Sequence, residues 1–370
     1  MKIVRINDNS GKLYYVGGVV RDEILGTKSP DADLIYEGNA IEWAKNEGFN
    51  ITQINEPFGT VRIDYNGFPV DIASTRCETY PQKGHLPVVS NIGCPLSQDV
   101  KRRDFTINSL YKSVKTGEII DFTGGLEDIK IKKLRVLHDY SFIDDPTRIV
   151  RMLKFRMRFG FEPDEKTFDL QDKYLKNPNR DMSYKRIKKE LYELFRYEGK
   201  TVISKAEAFK IFADENIFKL ITDKKPDLSS IDFDNELIEK SDNPLIFSGL
   251  IDNIEILPLT KFEKKSINDL NELKAYKNFT SDMEIFNAFK NCSTETVILY
   301  GMLKNKSIAL RYLNDLKNIK PQITGQDLIN LGFLPSKDFS KIFEKLQEAK
   351  FKNPDMTKED EINFVNCLKI

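Results

Sequence analysis

The chain has 370 residues, 31% of them charged, with 57 basic and 57 acidic side chains and a formal net charge of zero. That length allows two or more domains with their own cores, and the neutral balance excludes general adhesion to nucleic acid, so any RNA contact must come from local basic patches. No run of about 18 apolar residues is present, two histidines exclude a His-rich metal hydrolase domain, and four scattered cysteines without a CxxC pair fit a reducing cytosol rather than structural zinc.

The N-terminal stretch has no signal-peptide core, and the first apolar run, Leu13 to Val16, ends on Gly17 and Gly18. A short helical pattern follows from Val19 to Leu25, with Val20, Ile24 and Leu25 at helix spacing. Gly26 and Pro30 break the chain before Asp31-Ala32-Asp33 runs into Leu34, Ile35 and Tyr36. On a strand, residues two apart share a face, so Asp31 and Asp33 are expected side by side. Paired carboxylates repel and call for a compensating cation; with no His or Cys nearby, oxygen-only ligands suit Mg²⁺ or Mn²⁺. The diglycine lets phosphate oxygens approach backbone N–H groups at a helix start. Order and closeness together point to a metal-nucleotide site; a turn with two solvated aspartates is the alternative.

Val61 to Ile63 and Phe68 to Ile72 read as strands around the Asn66-Gly67 hairpin signal. Asp71 in the second strand is either a third acidic group near the metals or a buried core aspartate. Residues 76–100 are rich in Gly, Pro and polar residues and read as a long loop. Lys101-Arg102-Arg103 suits a triphosphate, because Arg offers a fork of donors to phosphate oxygens. Asp104 and Asn108, four apart, would share a face on a helix.

Glu118 to Phe122 is expected as a strand, Thr123-Gly124-Gly125 as a turn, and Asp128 to Arg135 as a strand with basic residues on one face. That strand is either an edge guarded by lysines or an RNA contact. Phe142 to Phe159 predicts a strong helix, with Asp145 capping and Pro146 at its first position. Asp145 and Arg148 then stack three apart and can present acceptors and donors to a base edge; a cap with a surface ion pair is the plainer reading. Arg151, Lys154, Arg156 and Arg158 continue as a basic stripe able to hold nucleic-acid phosphates. Met182 to Phe195 reads as a second helix capped by Ser183, with an Arg186–Glu190 pair and a core face of Ile187, Leu191 and Leu194. From residue 201 onward the patterns are helical, as in Ala206 to Ile211 and Leu303 to Leu316, with Asp223 to Asp234 as the most polar break.

GGVVRDEILG followed by DADL resembles the first motif of the class II tRNA nucleotidyltransferases that add CCA, and of the related bacterial poly(A) polymerases. RRDFTINSL is similar to the motif of that family credited with triphosphate and ribose recognition. DDPTRIVR resembles its base-reading motif EDxxR, with Asp144 where many members have Glu. Arg76, Glu78, Tyr80 and His85-Leu86-Pro87 match the flexible loop used in switching to ATP, which CC-only members shorten. The helix from Ser183 is similar to a bracing helix, SxERIxxEL. Residues 321–335 resemble the tail motif ITGxDLxxLGxxPG, with Ser336 in place of the last Gly.

The resemblance implies an α+β fold: a polymerase-β-like nucleotidyltransferase head with a small mixed sheet (residues 1–138), then an all-α neck (139–200), body (201–320) and tRNA-binding tail (321–370). It implies a cytoplasmic, Mg²⁺-dependent enzyme that adds C, C and A from CTP and ATP to the 3′ end of tRNA, holding the acceptor stem and no membrane. Asp31 and Asp33 would be the catalytic metal ligands. Gly17, Gly18, Arg21, Arg103, Asp104, Asn108, Asp145, Arg148 and Arg151 would bind the nucleotide. An A-adding or CC-adding specialist, a poly(A) polymerase, a catalytically silent RNA-binding protein and a small-molecule nucleotidyltransferase remain the alternatives.

Overall fold

The computed structural model describes the chain except for residues 1–5, 7, 28–32, 196–198, 225–230, 232–234, 242–253, 275–278, 337 and 369–370. Two compact units are present: Met1–Leu194 with Glu198–Ile203 and Glu207–Leu220, and Phe195–Tyr197 with Ser204–Ala206 and Ile221–Ile370.

The first unit is built on a seven-stranded mixed sheet. Its strands are β1 (Leu13–Val16), β2 (Leu34–Tyr36), β3 (Asn50–Asn55), β4 (Thr60–Tyr65), β5 (Phe68–Ser74), β8 (Leu110–Ser113) and β9 (Ile119–Asp121), in the order β3-β4-β5-β2-β1-β8-β9. Among the described residues of this sheet, β2 and β5 pair in parallel and the other neighbours are antiparallel. The Asn66-Gly67 turn sets Tyr65 opposite Phe68, as its chemistry predicts. Strand alternation then divides the apolar residues between two faces. Leu13, Leu34, Ile63 and Ile72 pack with Ile41 and Trp43 of helix α2 (Ala40–Asn46). Val16, Ile35 and Tyr111 pack on the other side with Leu96 and Val100. This second face carries the cleft described below, with helix α1 (Gly18–Ile24) leading away from it.

Residues 76–100 are more ordered than a loop. They form the hairpin β6 (Arg76–Thr79) and β7 (Val88–Ile92), then the short helix α3 (Leu96–Asp99) and a 3-10 turn at Val100–Arg102. Asp104 and Asn108 lie about a 3-10 turn, Thr106–Asn108, rather than on an α-helix. The expected strand at 128–135 is replaced by helix α4 (Gly125–Lys130) and the short strand β10 (Lys133–Leu134), which pairs with β11 (Glu162–Pro163). The Asp121 carboxylate explains the difference, because it accepts the N–H groups of Thr123, Gly124, Gly125 and Leu126 and so starts a helix.

The helix expected from Phe142 is divided at Asp145-Pro146 into α5 (Ser141–Asp144) and α6 (Thr147–Phe159). Proline lacks an N–H and disfavours helical backbone in the residue before it, and Asp145 is extended (φ −145°, ψ 91°). Helices α7 (Glu165–Lys176) and α8 (Tyr184–Phe195) follow, and α9 (Lys205–Asp214) comes next. The basic stripe on α6 is neutralised within the unit. Arg156 meets Glu162 and Glu215 at 2.7 and 2.6 Å, and Lys154 meets Glu190 and Glu193 at 3.4 and 3.6 Å. Arg156 is therefore a brace between elements, whereas Arg151, Lys154 and Arg158 also line the cleft described below.

Among the described residues the second unit is helical: α10 (Asn235–Ile238), α11 (Lys261–Leu273), α12 (Asp282–Phe289), α13 (Thr294–Leu303), α14 (Lys306–Leu310), α15 (Gly325–Asn330), α16 (Asp338–Lys352) and α17 (Lys358–Cys367). The helix expected across Leu303 to Leu316 is broken where Asn305 caps α14 through the Ile308 N–H. The polar break at 223–234 lies largely outside the described residues. Ile323, Leu328, Ile342, Leu346 and Val365 form the tail core. Beside it a buried Lys350–Glu361 pair at 2.9 Å receives the Gln322 and Ile323 N–H groups. No helix of the described residues is long and apolar enough to cross a membrane.

Candidate active site

The turn between β1 and α1 makes the floor of a cleft of about 520 Å³. The Val16 N–H donates to the Asp33 carbonyl at 3.0 Å and the Gly17 N–H to the Leu110 carbonyl at 3.2 Å, pinning the turn between β2 and β8. Gly17 adopts φ 70°, ψ −124°, a backbone region essentially closed to residues with a Cβ. A Cβ there would lie 3.7 Å from Arg103 Nη1 and 3.6 Å from the Asn108 carbonyl oxygen, so the glycine turn faces both.

Asp33 lines the cleft one residue before β2, on the same side of the sheet as Ile35. Asp31 lies outside the described residues, so the paired geometry expected for the two carboxylates is not seen. Asp71 is neither buried nor among the residues lining the cleft; its carboxylate takes two 2.7 Å hydrogen bonds from Arg62 on the adjacent strand.

One wall is a chain of arginines and carboxylates. Asp104 Oδ2 accepts from Arg151 Nη2 and Nε at 2.6 and 3.0 Å, and Oδ1 accepts from Asn108 Nδ2 at 3.0 Å. Asn108 Oδ1 in turn accepts from Arg21 Nη1. Arg21 clasps Asp22 at 2.6 and 2.9 Å, and its guanidinium lies 4.6 Å from the Phe159 ring centre and 5.3 Å from that of Phe155. Burial alone would raise the Asp104 pKa, but the Arg151 charge and the hydrogen bonds from Asn108 and Arg151 outweigh it and lower the pKa to about 2.

A second cluster holds Arg103. Its Nε donates to the Tyr111 hydroxyl at 3.2 Å and its Nη2 to Asp99 at 3.1 Å, while Asp99 also takes Arg102 Nε at 2.9 Å. Burial opposes the Asp99 charge, yet Arg103 and Arg102 hold its pKa below the ordinary carboxylate value.

The opposite wall carries Asp145 and Arg148, which do not bond each other through their side chains. Asp145 Oδ1 accepts the Thr147 N–H at 3.1 Å, so it caps α6 although regular helix starts two residues later. Arg148 donates from Nη1 to the Ser141 hydroxyl at 2.6 Å and from Nη2 to the Arg102 carbonyl at 2.9 Å. Asp144 instead meets Lys83 at 2.6 Å.

Every described residue expected at the nucleotide site, from Gly17 and Gly18 through Arg21, Arg103, Asp104, Asn108, Asp145, Arg148 and Arg151, lines this one cleft with Asp33. Sequence reasoning missed Phe58, whose ring faces Arg76 at 5.5 Å, and Arg186, which does not pair with Glu190 but reaches Asp145. No local pattern signals Phe58. The sequence pattern places Arg186 only as a partner of Glu190 along its own helix. Nine cationic side chains and four carboxylates line the cleft, a concentration of positive charge in a chain that is neutral overall.

Among the described residues no three His, Cys, Asp or Glu side chains gather as a metal site. Asp33 offers carboxylate oxygens at the glycine turn, and neither histidine lines the cleft. This donor chemistry suits a hard divalent cation such as Mg²⁺, with Asp31 as the nearest further donor in the chain.

Residues 13–135 match the family described as "Poly A polymerase head domain". An A-adding tRNA nucleotidyltransferase of Aquifex aeolicus is 45% identical over 158 residues, covering 41% of this chain and 19% of the relative. The matched stretch therefore spans only about a fifth of that protein's length. An A-adding tRNA nucleotidyltransferase of Halalkalibacterium halodurans is 27% identical over 95% of this chain and 87% of its own. A CCA-adding enzyme of Lactobacillus delbrueckii subsp. bulgaricus is 28% identical over 93% of this chain and 91% of its own. A solved CCA-adding enzyme in its apo form II superposes with a TM-score of 0.72 at 24% identity, over 96% of this chain and 91% of that one, which shows a shared fold. Residues 13–135 thus match the poly A polymerase head domain, and the chain as a whole is similar to A-adding and CCA-adding tRNA nucleotidyltransferases.

Proposed function

We propose that the chain is a template-independent nucleotidyltransferase that extends the 3′ end of tRNA from CTP and ATP, completing CCA and releasing pyrophosphate. The observation that carries this reading is the excess of cationic over anionic side chains around the glycine turn and Asp33. A triphosphate is the polyanion that fits such a cleft, and guanidinium forks hold phosphate oxygens in fixed directions. Arg103, facing Gly17 and anchored by Asp99 and Tyr111, is oriented before any nucleotide enters. Asp104 and Asn108 offer a carboxylate and an amide beside it for the sugar. Asp145 and Arg148 on the other wall supply acceptor and donor to a base edge.

Asp33, with Asp31, would hold Mg²⁺, which when bound lowers the pKa of the 3′-hydroxyl and stabilises charge on the α-phosphate and leaving group. The partner is the acceptor stem and 3′ end of tRNA, the substrate in the names of the A-adding relatives. Addition of A alone is a second reading, favoured by the 45% identity to the Aquifex relative.

The experiment is Asp33→Ala assayed in parallel for pyrophosphate release and for tRNA retention. Release is lost while retention stays within about threefold, a change of under 1 kcal/mol in binding. Full release by Asp33→Ala would overturn the assignment.

A further inference from the structure

Asp99 is fully buried and does not line the cleft. Its Oδ1 accepts the Arg76 N–H and Arg102 Nε, each at 2.9 Å. Oδ2 accepts the Tyr111 hydroxyl at 2.9 Å and Arg103 Nη2 at 3.1 Å. A carboxylate has roughly four acceptor sites, so these donors saturate Asp99 and leave it nothing with which to hold a cation or touch a substrate. It can act only through the groups it fixes.

Tyr111, on β8, is one of those groups, equally buried and equally absent from the cleft lining. Its ring packs edge-on against Phe122, with centres 6.3 Å apart, and lies 5.1 Å from the Arg103 guanidinium. Packing of that kind asks only for a phenyl ring. The hydroxyl has a separate task, because it donates to Asp99 while accepting Arg103 Nε at 3.2 Å. Burial raises the Tyr111 pKa, so the hydroxyl keeps its proton and its direction of donation.

Nε and Nη2 share one edge of the planar guanidinium, and Tyr111 and Asp99 together take that edge. No described residue takes the other edge, Nη1 with the second hydrogen of Nη2. It faces the glycine turn, where a Cβ on Gly17 would lie 3.7 Å from Nη1. We propose that Tyr111 is a positioning residue whose hydroxyl, oriented by Asp99, turns the open edge of Arg103 toward the triphosphate at the glycine turn. This rests on the nucleotidyltransferase reading above. Without the hydroxyl, Nε has no acceptor, and a single hydrogen bond to Asp99 cannot fix the plane of the guanidinium.

The test uses the full chain. Calorimetry in Mg²⁺-free buffer measures affinity for inorganic triphosphate, and steady-state assays on tRNA ending in CC give kcat with KM for ATP and for tRNA. Tyr111→Phe keeps the ring and removes the hydroxyl. It weakens triphosphate binding by about tenfold, the scale of one lost hydrogen bond to a charged group. KM for ATP rises by a similar factor, while KM for tRNA stays within about threefold. In an Arg103→Gln background, adding Tyr111→Phe changes triphosphate affinity by less than about twofold, because a residue that acts through Arg103 has nothing left to position.

A loss of triphosphate affinity below about fivefold in Tyr111→Phe overturns the proposal, and so does a full second loss in the Arg103→Gln background. An equal rise in both KM values overturns it as well, since that would mark a general disturbance of the fold. If Tyr111→Phe does not fold, Asp99→Asn, which keeps the shape of that side chain and removes its charge, decides by the same criteria. Should the unmodified protein bind triphosphate but extend no tRNA, the transferase reading fails, while the calorimetric comparison still decides whether Tyr111 positions Arg103.

Discussion

Asp104 and Arg151, 47 residues apart in the chain, are joined by two hydrogen bonds of 2.6 and 3.0 Å that tie the segment after the 3-10 turn at 100–102 to helix α6. The pair links Asp104, which also holds Asn108 beside the glycine turn, to the helix that carries Arg148, so it ties two cleft-lining segments together.

This pair makes stability depend on acidity in a defined window. The Asp104 pKa falls from 3.8 to about 2 on folding, so its contribution is complete above about pH 4 and is lost as pH falls towards 2. The difference in unfolding free energy between the protein and Asp104→Asn should be constant above about pH 5 and shrink by about 2 kcal/mol between pH 4 and 2. Urea titrations across that range measure it. A difference that does not change with pH would mean that Asp104 is not held ionised by Arg151.

Arg21 carries a separate prediction. Arg21→Ala leaves Asp22, 1% exposed, with only the more distant Arg158 at 3.7 Å as its cation and removes the group lying against Phe155 and Phe159. The loss expected is about 2–3 kcal/mol, read as a shift in the urea midpoint at constant slope. Arg21→Lys keeps the charge but not the fork that holds Asn108 and Asp22 together, and should fall between the two. A loss under about 1 kcal/mol for Arg21→Ala would show that the network is not a structural support.

Gly17→Ala tests the glycine turn. The space around a new Cβ is adequate, since its nearest neighbours lie at 3.6 and 3.7 Å, but φ 70° with ψ −124° is not. The expected cost is about 1–3 kcal/mol in stability, with a rise in KM for the nucleoside triphosphate larger than that for tRNA. Equal changes in both KM values would place the nucleotide elsewhere.

Much of this was legible in short stretches of sequence. The β1–α1 turn, the hairpin at Asn66-Gly67 and helix α8 follow from turn chemistry and periodicity alone. The misreadings share one cause, partners that are distant or unpatterned. Four consecutive N–H groups captured by Asp121 turned an alternating stretch into helix α4. Arg156 reads as part of an exposed stripe until Glu215, 59 residues later, folds onto it. Arg186 reads as a brace until His85, 101 residues earlier, is beside it. Charge pattern along a helix gives its faces but not their occupants.

The most direct measurement supplies the purified chain with Mg²⁺ and tRNA lacking its terminal CCA, offers CTP, ATP or both, and sequences the 3′ ends. The account predicts CC with CTP alone and CCA with both; A added only to tRNA already ending in CC would support the narrower A-adding reading. No extension of either tRNA under any combination would contradict the claim that this cleft transfers nucleotides.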